Sequence, residues 1–144
     1  MTGGTLPPGR SKEIFALPSY APAPAAASSA AYLQQAVLTA SPGQLVVMLY
    51  DGACRFLTQA AFALREGDRT RSHQRLRRAE AIIDELLVTL DMDAGEISAN
   101  LQGIYVFCRR QLTDARAEDD ADKIDWVNEQ LADLREAWAE IANR

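Results

Sequence analysis

Apolar residues at an unbroken spacing of three and four positions fill the end of the sequence. They are Ile124, Val127, Leu131, Leu134, Trp138 and Ile141. This is the a/d repeat of a helix that packs nearly parallel or antiparallel to its neighbours. No segment of the chain alternates apolar and polar residues with the period of two that a half-buried strand shows. We therefore predict an all-α protein.

A strong helix start lies earlier in the chain, at the sequence SPGQ of residues 41–44. Serine caps a helix N-terminus, proline suits the first helical position, and Gln44 can complete a capping box. Further helices follow at short intervals. The predicted helices run from Ser41 to about Glu66, from Asp68 or Thr70 to Leu90, from about Glu96 to Ala117, and onward from a cap at Asp119 or Asp120.

Four helices of similar length with short connections favour an antiparallel four-helix bundle. A short extra helical segment is predicted just before it, because the apolar residues of 32–38 have helical spacing. Pro22 and Pro24 precede that segment among alanines and serines, and proline removes a backbone donor and interrupts helices. We therefore predict a flexible, disordered N-terminal tail over residues 1–31 and one helical-bundle domain over residues 32–144.

The formal net charge of −5 argues against nucleic acid as the main partner, because phosphate binding requires a positive surface. Arginines cluster only in the middle of the chain, where such clusters mostly form solvated helix faces. They are Arg65, Arg69, Arg71, Arg75, Arg77 and Arg78. No apolar run approaches the roughly 20 residues that span a bilayer, and we expect no signal peptide. A reducing cytosol also suits the two cysteines, Cys54 and Cys108.

Reactive side chains are few, and the chain has one histidine, His73. A metal site in a bundle recruits carboxylates and histidines from facing helices, so we expect neither a metal nor another cofactor. Cys54 and Cys108 lie among apolar residues, where thiols are usually inert. We therefore predict that the protein is not an enzyme. A histidine phosphotransfer bundle that uses an exposed His73 stays as an alternative to a plain surface histidine.

The helix that starts at Ser41 is apolar nearly all round. One stripe contains Leu45, Leu49, Gly52, Phe56, Ala60 and Ala63, and a second set contains Val46, Val47, Tyr50, Cys54, Leu57 and Ala61. Such a helix must be covered, either as the central helix of the bundle or by another segment, which would be residues 32–38 or a partner's helix. Apolar residues outside the stripes also favour a binding surface. They are Ile82, Val88, Val106, Phe107 and Trp126.

Two runs of this sequence resemble the N-terminal signature of the FliS family, the flagellin-specific secretion chaperones. The first, YLQQAVLTASPGQL, covers residues 32–45, and the second, MLYDGA, covers residues 48–53. Weaker matches follow at residues 82–86, 96–105 and 134–138. Altogether the resemblance extends from residue 32 to about residue 142.

The resemblance implies an antiparallel bundle in the bacterial cytoplasm without enzymatic activity. Its partner would be the C-terminal region of flagellin, which would wrap around the bundle in an extended, partly helical form. Binding would prevent premature polymerisation and help to deliver flagellin to the export gate of the flagellar type III apparatus. A segment that folds only on binding can cover a large surface in this way.

Partner binding is predicted on the segment before the bundle and on its first and third helices. The predicted residues are Tyr32, Leu33, Val47, Tyr50, Leu57, Ile97, Leu101 and Tyr105. A structural bundle that self-associates through its apolar first helix is a further alternative. The oligomeric state of the free protein stays open at this point.

Overall fold

A computed structural model describes residues 24–142 of the chain. These residues form five α-helices and one short 3-10 helix, and they contain no strand. The elements are α1 (Pro24–Thr39), α2 (Pro42–Arg65), α3 (Arg69–Val88), the 3-10 helix (Met92–Ala94), α4 (Glu96–Glu118) and α5 (Ala121–Ala142). The predicted all-α bundle is confirmed. Of the tail predicted over residues 1–31, residues 1–23 lie outside the described residues, and residues 24–31 belong to α1.

Helix α1 begins at Pro24, earlier than the start near Tyr32 that the sequence suggested. Pro24 is the first residue of the helix, where its missing N–H is no loss, and the alanines that follow have the highest helix propensity. The helix packs closely against no other element among residues 24–142. It is therefore an added segment before α2, and its Tyr32 side chain is exposed.

The predicted start of α2 is confirmed. The Ser41 hydroxyl accepts a hydrogen bond from the Gln44 N–H at 3.2 Å, and the Ser41 N–H donates to the Gln44 side chain at 2.9 Å. These reciprocal bonds satisfy backbone donors that a helix N-terminus leaves unpaired. The chain turns after α2 at Gly67, whose φ of 83° lies in the left-handed region that glycine adopts without a Cβ penalty.

Aspartates cap α3 and α5, and the sequence had predicted the cap of α5 at Asp119 or Asp120 and the start of α3 at Asp68 or Thr70. The Asp68 carboxylate accepts from the Arg71 N–H at 3.1 Å at the start of α3. The Asp120 carboxylate accepts from the Asp122 N–H at 3.0 Å at the start of α5. Asp119, with a left-handed φ of 54°, ends α4. These local hydrogen bonds fix where the helices start after the chain has turned between antiparallel neighbours.

Helices α2 to α5 form an antiparallel bundle in which α2 and α4 each pack on both α3 and α5. Ion pairs show the direction of α5 against α2. Asp51, in the first half of α2, binds Arg135 in the second half of α5 at 2.8 Å. Arg65, the last residue of α2, binds Asp122 and Asp125 at the start of α5. Helix α2 makes the most extensive contacts and is the central helix of the bundle.

The two apolar stripes of α2 are covered from two sides. Gly52 lies against α3, where an added Cβ would approach Ile82 Cδ1 to 3.2 Å. On the other side, the Asn128 amide of α5 donates to the Thr58 hydroxyl at 3.0 Å. The bundle itself therefore covers α2. The interpretation of Ile82 as a surface residue is wrong, because it lies fully buried on the face of α3 that meets Gly52.

A nearly buried carboxylate joins α3 to α4. Glu80 binds Arg116 and also Arg109, the latter at 3.5 Å, and Arg109 in turn binds Asp84 at 2.7 Å. A buried charge that loses its partner costs several kcal/mol. The network therefore favours the observed register of α3 against α4.

Candidate functional site

At one end of the bundle the core stops short of the helix ends. None of residues 42–48, 87–97 and 132–142 is buried, although apolar side chains are frequent there. The half-buried ones include Leu45, Val46, Val47, Met48, Leu87, Leu90, Leu134 and Trp138, and the exposed ones are Val88, Met92, Ile97 and Ile141. We call these three stretches the open end. Because α1 directly precedes α2, the C-terminal end of α1 also lies at this end of the bundle.

A second apolar stretch leads into the open end between α4 and α5. Phe107 of α4 and Trp126 of α5 pack edge to face, with ring centroids 5.4 Å apart, and both stay partly exposed. Because the two helices are antiparallel, residues after Trp126 lie opposite residues before Phe107. On each helix, residues three or four positions apart lie on the same face. Residues on these two faces line what we call the α4–α5 groove: Ile97, Ile104, Phe107, Trp126, Leu134 and Ile141.

The predicted partner-binding residues lie in two layers. Tyr32 and Ile97 are exposed, and Leu33 and Val47 are half-buried, all of them on α1 or at the open end. The remainder lie inside the bundle, with exposures of at most 8%: they are Tyr50, Leu57, Leu101 and Tyr105. A partner could reach this second layer only if the helices moved apart. The first layer is therefore available for direct contact in this structure, and the second layer is not.

Two tyrosines connect α2 and α4 across the middle of the bundle. The hydroxyls of Tyr50 and Tyr105 share a hydrogen bond inside the core, and their rings are tilted by 47° with centroids 6.4 Å apart. Burial raises the pKa of both phenols, and the shared hydrogen bond raises the pKa of Tyr50 further. Both side chains therefore remain neutral donors and acceptors near neutral pH.

Tyr50→Phe is expected to lower the free energy of unfolding by about 1–3 kcal/mol, because it leaves the buried Tyr105 hydroxyl without its partner. The double variant Tyr50→Phe/Tyr105→Phe should lose less unfolding free energy than the two single variants lose together, since it leaves neither hydroxyl unpaired. Urea denaturation followed by circular dichroism measures all three. Strictly additive losses would contradict a coupled pair.

The reactive groups considered in the sequence lie in positions that do not favour chemistry. His73 is half-buried and its Nε2 atom is buried without a hydrogen-bond partner, so the ring does not stand free as a phosphotransfer site requires. Burial raises the pKa of both Cys54 and Cys108 to about 11, which keeps these thiols protonated and unreactive. Within residues 24–142, no three His, Cys, Asp or Glu side chains are grouped to hold a metal ion, and no helix is long and apolar enough to cross a bilayer.

Sequence reasoning did not identify three residues of the groove. Leu134 and Ile141 belong to the inward stripe predicted for α5. The same spacing of three and four predicts an inward stripe for α4 at Ile97, Leu101, Ile104, Cys108 and Leu112. Yet Ile104 and Ile141 are exposed, and Leu134 is only half-buried. Spacing indicates which face of a helix turns inward, but it does not indicate where the neighbouring helix ends or diverges. The off-stripe Phe107 and Trp126, by contrast, were recognised as candidates and do lie on the surface.

Known proteins with similar sequences support the resemblance found in the sequence. The family model of the flagellar protein FliS matches residues 24–144. The chain is 37% identical to the flagellar secretion chaperone FliS of Bacillus subtilis over 108 residues, which cover 75% of this chain and 80% of that protein. It is 38% identical to the protein of the same name from Salmonella typhimurium over 112 residues, or 76% of this chain and 83% of that one. The corresponding protein of Campylobacter jejuni is 36% identical over 114 residues, 78% and 89% of the two chains.

Proposed function

The chain belongs to the FliS family of flagellar proteins, and from this premise we propose that it is an export chaperone for flagellin. It binds the C-terminal region of flagellin in the bacterial cytoplasm and prevents premature polymerisation. It then assists the delivery of flagellin to the export gate of the flagellar type III apparatus. The relatives are named as chaperones rather than enzymes, so binding is the activity to be explained.

The observation that carries the proposal is the apolar surface formed by the open end and the α4–α5 groove. Ile97 and Ile141 are 65% and 56% exposed at the open end, and Phe107 and Trp126 extend the apolar surface along the groove. Exposed apolar side chains grouped in this way favour a protein partner. A groove between two helices suits an amphipathic segment that becomes helical when it binds.

The predicted binding residues take different roles in this proposal. Tyr32, Leu33, Val47 and Ile97 offer side chains to flagellin at the open end and on α1. The buried residues beneath them hold the helices that form this surface in place: they are Tyr50, Leu57, Leu101 and Tyr105. Neither nucleic acid nor membrane insertion has a part in the mechanism, and no cofactor is required.

Calorimetric titration of the full-length chain tests the proposal. The titrant is a peptide that comprises the C-terminal region of flagellin from the same organism, and a peptide from the flagellin N-terminal region is the matched control. We expect saturable binding with a negative heat-capacity change, as burial of apolar surface gives, and protection of the C-terminal peptide from protease.

Two results would contradict the proposal. One is the absence of both heat and protection with the C-terminal peptide. The other is self-association of the free protein, measured by light scattering at several concentrations, that the peptide does not disrupt. The second result would favour the structural bundle that the sequence left as an alternative.

A further inference from the structure

Four arginines on α3 have no ion-pair or hydrogen-bond partner for their guanidinium groups within residues 24–142. They are Arg71, Arg75, Arg77 and Arg78. Two arginines of the same sequence cluster are neutralised locally: Arg65 binds two aspartates of α5, and Arg69 binds Asp119 in the turn before it. The sequence cluster therefore divides into a structural part and an unpaired part. Only the unpaired part needs a functional explanation.

The unpaired arginines form one continuous surface. Arg71 and Arg78 are separated by two helical turns, or about 10 Å along α3, and Arg75 lies between them. Arg71, Arg77 and Arg78 are exposed, whereas Arg75 is half-buried with its Nε atom buried and unpaired. An open depression of about 470 Å³ is lined by Gln74, Arg75, Arg77 and Arg78. We call Arg71 together with these four residues the arginine face.

The arginine face is separate from the apolar surface. Helix α3 packs on α2 and α4, so α5 and the α4–α5 groove lie across the bundle from it. The face occupies the first half of α3, near the end of α2 at Arg65 and the start of α5 at Ala121, whereas the open end lies at the opposite end of the bundle. A ligand in the groove would therefore leave the arginine face uncovered.

The negative net charge of the chain, set against the positive arginine face, indicates which kind of ligand the face binds. The whole chain carries a net charge of −5, which opposes a duplex nucleic acid or an anionic membrane, because either would present phosphates over a wide area. A short acidic polypeptide can instead follow the one helix face that carries the arginines. The planar guanidinium group matches a carboxylate in a two-bond geometry. We propose that the arginine face docks a carboxylate-rich segment of a partner protein, independently of the proposed flagellin binding.

Fluorescence anisotropy with a labelled oligoglutamate peptide and the full-length protein tests this proposal. The variant Arg71→Gln/Arg78→Gln removes two charges from exposed helical positions, where glutamine has a helix propensity close to that of arginine. We expect peptide affinity at low salt to fall by about tenfold in this variant, and the affinity of the parent protein to fall steeply as salt is added.

The matched control is Arg110→Gln, which removes one charge from an exposed arginine of α4 and is compared with the single variant Arg78→Gln. It should keep the parent affinity, and circular dichroism should show that all variants are folded. Equal losses in the two single variants, or no peptide binding by the parent, would overturn the proposal. So would binding that depends on the arginine face but occurs only with an oligonucleotide or with phosphatidylserine vesicles. If the double variant did not fold, the comparison of Arg78→Gln with Arg110→Gln would still test the proposal.

Discussion

Leu57→Glu is expected to unfold the bundle rather than to weaken partner binding selectively. Leu57 is fully buried on the central helix α2, where a carboxylate would have no partner and the leucine contacts would be lost. Burying an unpaired charge costs several kcal/mol at the least, and loss of a core leucine alone costs about 2–5 kcal/mol. The sum approaches the total stability of a domain of this size, about 5–15 kcal/mol.

The control for this prediction is Leu57→Met, which keeps the side chain apolar and of similar volume. It should cost less than about 1.5 kcal/mol and should leave the helical circular dichroism unchanged. Urea denaturation followed at neutral pH compares the two variants with the parent. A cooperative transition of Leu57→Glu at the parent midpoint would mean that this position is not in the core.

Ile104→Glu is expected to weaken binding of the flagellin C-terminal peptide by about a hundredfold while the protein stays folded. Ile104 is 37% exposed in the α4–α5 groove. In the complex the variant would lose the burial of the exposed third of an isoleucine side chain, worth about 0.5–1 kcal/mol. It would also bury a carboxylate against an apolar ligand, and a buried polar group without a partner costs about 1–3 kcal/mol. A difference of about 2.7 kcal/mol corresponds to a hundredfold change in Kd.

Val106→Glu is the matched control. Val106 is 42% exposed on the same helix, and its position two residues from Ile104 places it about 200° around the helix, on the side away from the groove. Its effect on the Kd should stay within about threefold. Calorimetry gives both values, and circular dichroism confirms that both variants are folded. Similar losses at the two positions would show that peptide binding does not depend on the groove, and would move the proposed site elsewhere on the bundle.

Much of the fold could be predicted because its signals are local. The capping box at Ser41 involves residues only three positions apart, so sequence alone identifies it. The cap at Asp68 is equally local, and it decides between the two helix starts, Asp68 and Thr70, that the sequence left open. The start of α1 at Pro24 was not predicted, because proline was interpreted as a residue that interrupts helices. At the first position of a helix it has no such effect.

The candidate site was less predictable, since exposure depends on residues that are distant in the sequence. Tyr50 and Tyr105 were expected to contact a partner, but their hydroxyls bind each other across 55 positions of the chain. The arginines in the middle of the chain were expected to be one solvated cluster. In the fold, Arg65 pairs with Asp122 and Asp125, while Arg71 and Arg78 keep no partner in the described residues.

By itself, the sequence determined where α2 to α5 begin and which face of each mainly turns inward, because hydrogen bonds and side-chain contacts within four positions decide both. Only the tertiary structure decided that α2 is covered on two sides, that the core stops before the helix ends, and that the α4–α5 groove stays open. These features depend on which helices become neighbours and on how far each extends beyond the next. The unbroken spacing in α5 illustrates the difference: it continues from Ile124 to Ile141, but burial ends at Leu131.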